Sequence, residues 1–348
     1  MTFPKHLPLA SRACELPECP TTEKDSIRCT GCMVVRYCSA AHQALDRNRH
    51  EKGCKIVKNT RRILDMEQEI LRDDLVDAST SESIFGDDVG YLWTDYMNAR
   101  YDMVHSLLDE FEAPGGNVEA VNEALDSLLD MLHSPRRQYM VVQDIVPHLY
   151  LRLNRDQEAY DFLKWYATTV TESDYNWEDI LPDLDVKDAD VLEKPLDVWS
   201  NRKSFTLDHV VAATLIKVRI LLDLQAAQKL FRILKGTMPP EIIEMIRGQF
   251  IGSVLQSRPE ILRQTTEEIS TLIQMMKGQI IKLYKSVHTC NTHFWRLILN
   301  NETTPVRLRG QYSIGTENHA YQTLNYCWSS WVETQGALGL MKDLSEKV

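Results

Sequence analysis

Eight side chains able to bind a metal fall between residues 14 and 54, and nothing else in the chain constrains its fold as tightly. They are Cys14, Cys19, Cys29, Cys32, Cys38, His42, His50 and Cys54, and they form four close pairs in sequence order. The rest of the chain holds only two more cysteines, Cys290 and Cys327. A structural zinc ion takes four sulfur or nitrogen ligands in a tetrahedron. Two ligands a few residues apart can grip one ion from a single turn or from one helical face. Four such pairs therefore imply two zinc ions per chain. "CTGC" at 29–32 reads as a knuckle, with Gly31 permitting the tight turn that wraps the backbone around a metal. Cys38/His42 and His50/Cys54 are both i, i+4 pairs, the spacing of one helix face.

Disulfides and unrelated buried cysteines are the competing readings. The opening stretch, "MTFPKHLPLASRACELPECP", lacks the apolar run of a secretory signal. No stretch of about 18 uninterrupted apolar residues occurs, so no membrane span is expected. The expectation is an intracellular protein, in nucleus or cytoplasm. In that reducing setting disulfides are rare, and clustered cysteines more often hold metal.

The full pattern, C-x4-C-x9-C-x2-C-x5-C-x3-H-Q-x6-H-x3-C, resembles the MYND-type zinc finger. Its most recognisable pieces are "RYCS" (Arg36, Tyr37, Cys38, Ser39) and the "HQ…H-x3-C" ending. The resemblance implies cross-bracing, in which alternate pairs share an ion. Cys14, Cys19, Cys38 and His42 would hold one zinc, and Cys29, Cys32, His50 and Cys54 the other. This chain departs from the common pattern in three ways. The first pair is spaced by four residues rather than two, His42 stands where cysteine is usual, and Arg47 stands where tryptophan is common. In the family, that tryptophan and the glutamine matching Gln43 help form a groove for short proline-containing peptides. Gln43 and Arg47 are thus the candidate peptide-binding positions, without the aromatic wall.

The finger contains few apolar residues: Ile27, Met33, Val34, Val35, Tyr37 and Leu45. So small a module cannot fold on its own core. Structural zinc supplies the deficit, at roughly 10–16 kcal/mol of apparent binding energy per ion. Four protein ligands per ion leave no open position for a substrate or an activated water, which makes the metal structural. Six Lys/Arg balance six Asp/Glu in the finger, and the whole chain carries a net charge of −11. Neither offers a basic stripe for phosphates, so protein rather than nucleic acid is the expected partner.

After Cys54 the pattern turns helical. Residues 55–90 read as a helix and a linker. Ile56, Ile63, Met66 or Leu64, Ile70 and Leu71 lie at near-helical spacing, and "STSESIFGDDVG" then breaks the pattern. Residues 91–340 read as an all-α domain. Four helices are expected over 91–111, 117–134, 136–154 and 155–170. Asn117 is a candidate N-cap, with Val118, Val121, Leu125, Leu128 and Leu132 as one stripe. The turn in "HLYLRLNRDQEAYDFLKWY" resembles that between helices of a tetratricopeptide-type repeat. A TPR-like or α-solenoid stacking is therefore one form the body could take, although no clean 34-residue period is present.

Residues 172–198 carry ten acidic residues against two lysines. They read as a solvated loop; "DLDVKDAD" lacks the glycine and terminal glutamate of an EF-hand calcium loop. The stretch 204–236 is apolar nearly all round, interrupted by Lys217, Arg219 and Asp223, as suits a central buried helix. Further helices are expected at about 240–253, 258–288, 290–300 and 317–340. In the last, Ala320, Leu324, Cys327, Trp328 and Trp331 share a face. The fold class is a small cross-braced two-zinc MYND finger plus an all-α helical body. The helical region is loosely similar to that of MYND-finger proteins common in fungi, a similarity that brings no activity with it.

Two spots could hide chemistry in the body. His288, Cys290 and His293 lie together in "HTCNTH", where a Cys–His pair would activate a thiolate. "NHAY" at 318–321 resembles the Asn-His segment of SET-domain lysine methyltransferases, some of which carry a MYND finger. Strands and a cysteine-rich tail, both expected with a SET domain, are missing from the pattern. No glycine-rich phosphate loop occurs. The expectation is a non-enzymatic, zinc-binding adaptor for protein partners; a SET-type methyltransferase is the alternative from another class.

Overall fold

A computed structural model of the 348-residue chain describes residues 9, 14–16, 19–21, 26–78, 87–111, 116–133, 141–169, 185–200, 206–234, 239–300 and 312–346. The chain divides into two compact units, Leu9–His133 and a second one comprising Ser134–Val348.

The first unit holds the cysteine-rich segment and three long helices. Strands β1 (Ile27–Arg28) and β2 (Arg36–Tyr37) pair antiparallel, Ile27 opposite Tyr37. Helix α1 (Ala40–Leu45) follows, and α2 (Arg47–Ala78) starts one residue later. Then come α3 (Asp87–Phe111) and α4 (Val118–Leu132). Helix α2 therefore begins inside the metal-ligand segment, and the last two ligands lie on it. It packs along α3, and α3 along α4. Gly53 of α2 lies close against α3: an added Cβ would lie 3.1 Å from Glu110 Oε2 and 3.2 Å from its Cβ. The core between the helices is Val57 and Leu71 from α2, Met103, Val104 and Leu107 from α3, and Val121, Leu125 and Leu128 from α4.

Asn117 caps α4 as its sequence position predicts, accepting from Ala120 N at 3.1 Å. The buried face of α4 differs in detail from the expected stripe. Ala120, Ala124 and Met131 are buried, whereas Val118 and Leu132 are only half-buried. Helices α3 and α4 belong to the same compact unit as the cysteine-rich segment. The expected linker falls mostly outside the described residues, and its last four, 87–90, are helical.

The second unit is built around one helix. Helix α5 (Val142–Arg152) and α6 (Asp156–Thr169) form a hairpin whose turn places Asn154 at φ 58°. Helix α7 (Leu207–Ile233) is the expected central helix, buried on every face along its first half. Helices α8 (Pro240–Arg247), α9 (Ser253–Ser257), α10 (Thr266–Cys290), α11 (Phe294–Leu299), α12 (Glu317–Glu333) and α13 (Ala337–Ser345) complete the unit. Helices α5, α6, α9, α10, α12 and α13 all pack on α7. Three expected helices are shorter or broken. Residues 240–253 stop at Arg247, where Gly248 caps the helix. Residues 258–288 start only at the Thr265–Glu268 capping box. Residues 317–340 break at Gly336, whose φ is 88°.

The three charges inside α7 explain themselves through the loops they hold. Lys217 Nζ donates to the carbonyls of Val191 (2.5 Å) and Glu193 (2.8 Å) and sits 5.4 Å from the Tyr160 ring centroid. Arg219 donates to the carbonyls of Leu151 (3.0 Å) and Ile251 (2.8 Å) and pairs with Asp156 at 3.2 Å. Asp223 accepts from the backbone N–H groups of Ile251 and Gly252. Buried polar groups need partners, and here the partners are connecting segments that would otherwise leave backbone groups unpaired.

The described part of the acidic segment, 185–198, is docked rather than free. Asp161 accepts from the N–H groups of Asp188 and Ala189, and Gln279 donates to the Leu192 carbonyl at 3.0 Å. Residues 172–184, with Trp177, Ile180, Leu181 and Leu184, lie outside the described residues. Among the described residues, no helix is long and apolar enough to cross a membrane.

Candidate metal centre

The eight ligands come together in two groups of four. Cys14, Cys19, Cys38 and His42 form one, Cys29, Cys32, His50 and Cys54 the other, with all ligand atoms of a group within 4.8 Å of one another. The groups take alternate pairs along the sequence, which is the cross-braced order.

The backbone builds each half-site locally. Residues 29–35 form a knuckle between the strands, closed by Cys29 N donating to Val35 O and Met33 N donating to Cys29 O, both at 2.9 Å. The left-handed residue of that turn is Met33, at φ 61°, not Gly31. Gly31 is required for another reason: an added Cβ would sit 2.7 Å from Cys54 Sγ, inside the second site. Cys38 lies just before α1, whose N-cap Ser39 accepts from His42 N at 3.3 Å. The Cys38/His42 pair thus spans a capped turn, whereas His50 and Cys54 share one face of α2.

The separations test whether zinc fits. A tetrahedron with Zn–S of about 2.3 Å and Zn–N of about 2.0 Å has edges of about 3.5–3.8 Å. In the first group Cys19 Sγ–Cys38 Sγ is 3.7 Å and Cys14 Sγ–His42 Nδ1 is 3.6 Å, with a tighter edge of 3.0 Å from Cys38 to His42. In the second, Cys29 Sγ–Cys54 Sγ is 3.6 Å and Cys32 Sγ–His50 Nε2 is 3.7 Å, with 3.3 Å from Cys29 to His50. The sulfurs are free thiols, too far apart for a disulfide of about 2.05 Å. His42 turns Nδ1 to its site and His50 turns Nε2. Each group fits one tetrahedral zinc ion through three sulfurs and one nitrogen.

The crowded thiols of each group shift one another strongly when no metal is present. Burial, then the Cys29 sulfur and the charges of Cys32 and Cys29, push Cys54 up to about 12. At Cys14 burial also pushes upward, but backbone N–H groups of Cys38 and Leu16 and the His42 and Cys19 side chains bring it down to about 7. Burial lowers His50, keeping its imidazole neutral as a ligand must be. Several thiolates crowded together repel each other; a dication among them removes that cost and releases their protons.

Residues 14–54 match the family model of the MYND finger. This segment is a MYND finger. No curated protein and no solved structure matches the chain.

Around the zinc ligands of the MYND finger lies a supporting set that no spacing rule marks. Tyr37, buried, donates to Asp46 Oδ2 at 2.7 Å, and burial together with that carboxylate raises its hydroxyl well above the usual range. Asp46 also accepts from Arg49 Nε at 2.6 Å and Nη2 at 3.1 Å, and Arg49 Nη2 donates to Glu15 O at 2.6 Å. This chain of contacts ties the segment carrying Cys14 to the turn between the two helices that carry His42 and His50. Arg61 holds the knuckle from α2, donating to Cys32 O at 3.0 Å while paired with Glu123 at 2.6 Å.

The remaining sequence-marked residues are placed as follows. Gln43, half-buried on α1, and Arg47, exposed at the start of α2, stand four residues apart with the exposed Leu45 between them. His288 is exposed while Cys290 is buried, so the two do not share an environment. His319, near the start of α12, accepts from Gly315 N at 3.1 Å through Nδ1, in the turn that Thr316 caps.

Proposed function

We propose that this protein is a zinc-dependent adaptor that joins protein partners, using the MYND finger and the helical scaffold as its two surfaces, and that it is not an enzyme. The observation that carries this reading is the closed donor set: three sulfurs and one nitrogen around each position, with no vacant ligand for a substrate or water. On this reading the zinc holds a recognition surface in shape and takes no part in chemistry. The helical body supports it as well, because a SET-type methyltransferase is built mainly from strands. His319, the residue that raised that alternative, is engaged in closing the turn into its own helix.

The finger surface proposed for recognition is the one bearing Gln43, Leu45 and Arg47, and its proposed ligands are short proline-containing peptides. Arg47 supplies no aromatic wall, so affinity there is weak and Gln43 and Leu45 carry it. Titration of a fluorescent proline-containing peptide into the zinc-loaded protein tests this. Binding should tighten about tenfold in Arg47→Trp, where stacking area is restored, and weaken in Gln43→Ala. No binding by either the native protein or Arg47→Trp would remove the peptide reading. Methyl transfer from S-adenosylmethionine to any protein substrate would remove the non-enzymatic one.

A further inference from the structure

Helix α2 buries less of its apolar surface than its sequence provides. The face toward α3 uses Gly53, Val57, Thr60, Leu64 and Leu71. Three further large apolar residues are exposed instead: Ile63, Met66 and Ile70, at 38%, 47% and 43% exposure. Their i, i+3, i+7 spacing makes a seam along one side of the helix.

The charges beside this seam are sorted by sign. Along the flank of the seam, Lys55 (paired with Glu51), Lys58 and Arg62 lie before Met66, and Glu69 and Asp73 after it; Asp65 and Arg72, also exposed, carry the opposite signs but lie farther round the helix from the seam. Lys58, Glu69 and Asp73 make no ion pair among the described residues, and Arg62 reaches only Asn59 Oδ1 and Met66 Sδ. A surface that is basic at one end, apolar in the middle and acidic at the other is complementary to itself in reverse. A wholly basic or wholly acidic partner would suit one end and be repelled by the other. A parallel copy would set like charge against like.

We propose that α2 is a self-association surface: two copies of this chain pair antiparallel along α2, about a two-fold axis at Met66. Residues nearly equidistant from Met66 then face each other. Ile63 of one copy meets Ile70 of the other, Arg62 meets Glu69, Lys58 meets Asp73, and the two Met66 side chains touch at the axis. This is an isologous interface, in which one patch serves both sides. A contact limited to one helix face is small beside the roughly 1,200–2,000 Å² of a stable interface, so the dimer is a weak one.

Sedimentation equilibrium of the full, zinc-loaded chain over roughly 1–200 µM tests it. The native protein should show a monomer–dimer equilibrium. Arg62→Glu with Lys58→Glu, or Glu69→Lys with Asp73→Lys, should each weaken self-association by at least about tenfold. All four sites are exposed, so fold and zinc content should be unchanged, and both are checked. Mixing the two double variants should produce a heterodimer tighter than either alone, and the quadruple charge exchange should restore the native behaviour. Met66→Asp should abolish the dimer. A protein monomeric across the whole range, or a dimer indifferent to these changes, overturns the proposal.

Discussion

At the scale of single residues, the metal explains which positions could be read directly. Zinc demands ligands of fixed chemistry at short spacings, so all eight of them were legible, and each now sits in its expected group. What surrounds them follows no such rule. Met33 adopts the left-handed turn conformation with no glycine to announce it, and the Tyr37–Asp46–Arg49 contacts depend on where three separate turns meet. Gly31 was marked for the right site with the wrong reason, since its role is to leave room for Cys54 Sγ. This gives a specific prediction. Gly31→Ala should lower stability by about 1–3 kcal/mol through that clash. In a competition assay with a colorimetric chelator, the variant should give up one zinc readily and keep the other. Equal retention of both ions would show that the 2.7 Å approach does not matter.

At the scale of elements, helix identity was legible from periodicity, and helix ends were legible only where a cap stood. Asn117 marked the start of its helix, whereas the Thr265–Glu268 capping box went unread and the break at Gly336 was hidden inside an unbroken apolar pattern. Periodicity also could not say which apolar residues of α2 face inward, because a helix with two apolar sides satisfies the same spacing. The packing of α5 against α7 and α12 makes a further prediction. Burial, and then the neighbouring His209, hold His148 down to about 3, so it is neutral in the folded chain. Its unfolded value is near 6.5. Between these values the unfolded chain binds the proton and the folded chain does not. Stability from this group is therefore present above about pH 6.5 and is lost as pH falls toward 3, by up to about 1.4 kcal/mol per pH unit. Asp208, raised to about 7 by burial, acts in the opposite direction over part of this range, so the difference between two proteins isolates the histidine. His148→Asn should be less stable than the native chain at pH 7, and thermal melts should show the gap narrowing as pH is lowered to 4. A gap independent of pH would mean that His148 protonates without cost.

At the scale of the whole molecule, a small metal-built module and a large apolar core are two different solutions to the same problem of burying too little or enough. The finger lacks apolar mass and carries two Cys/His zinc sites; the second unit closes around α7 with an extensive apolar core. The division at residues 133/134 was not legible, since nothing in the composition separates α3 and α4 from the helices that follow. Residues 134–348 produced alone should therefore keep their helical circular dichroism in the presence of a strong chelator. The full chain treated in the same way should lose signal only from the finger-bearing unit. Loss of helix throughout would tie the second core to the metal. The claim on which the functional reading rests is that both ions are closed off by protein. Zinc-edge X-ray absorption, together with metal content of the purified protein, measures this directly. The account predicts two zinc ions per chain and an average shell of three sulfurs at about 2.3 Å and one nitrogen at about 2.0 Å. A single zinc per chain, or an oxygen in place of a sulfur, would contradict it and reopen the possibility of chemistry at the metal.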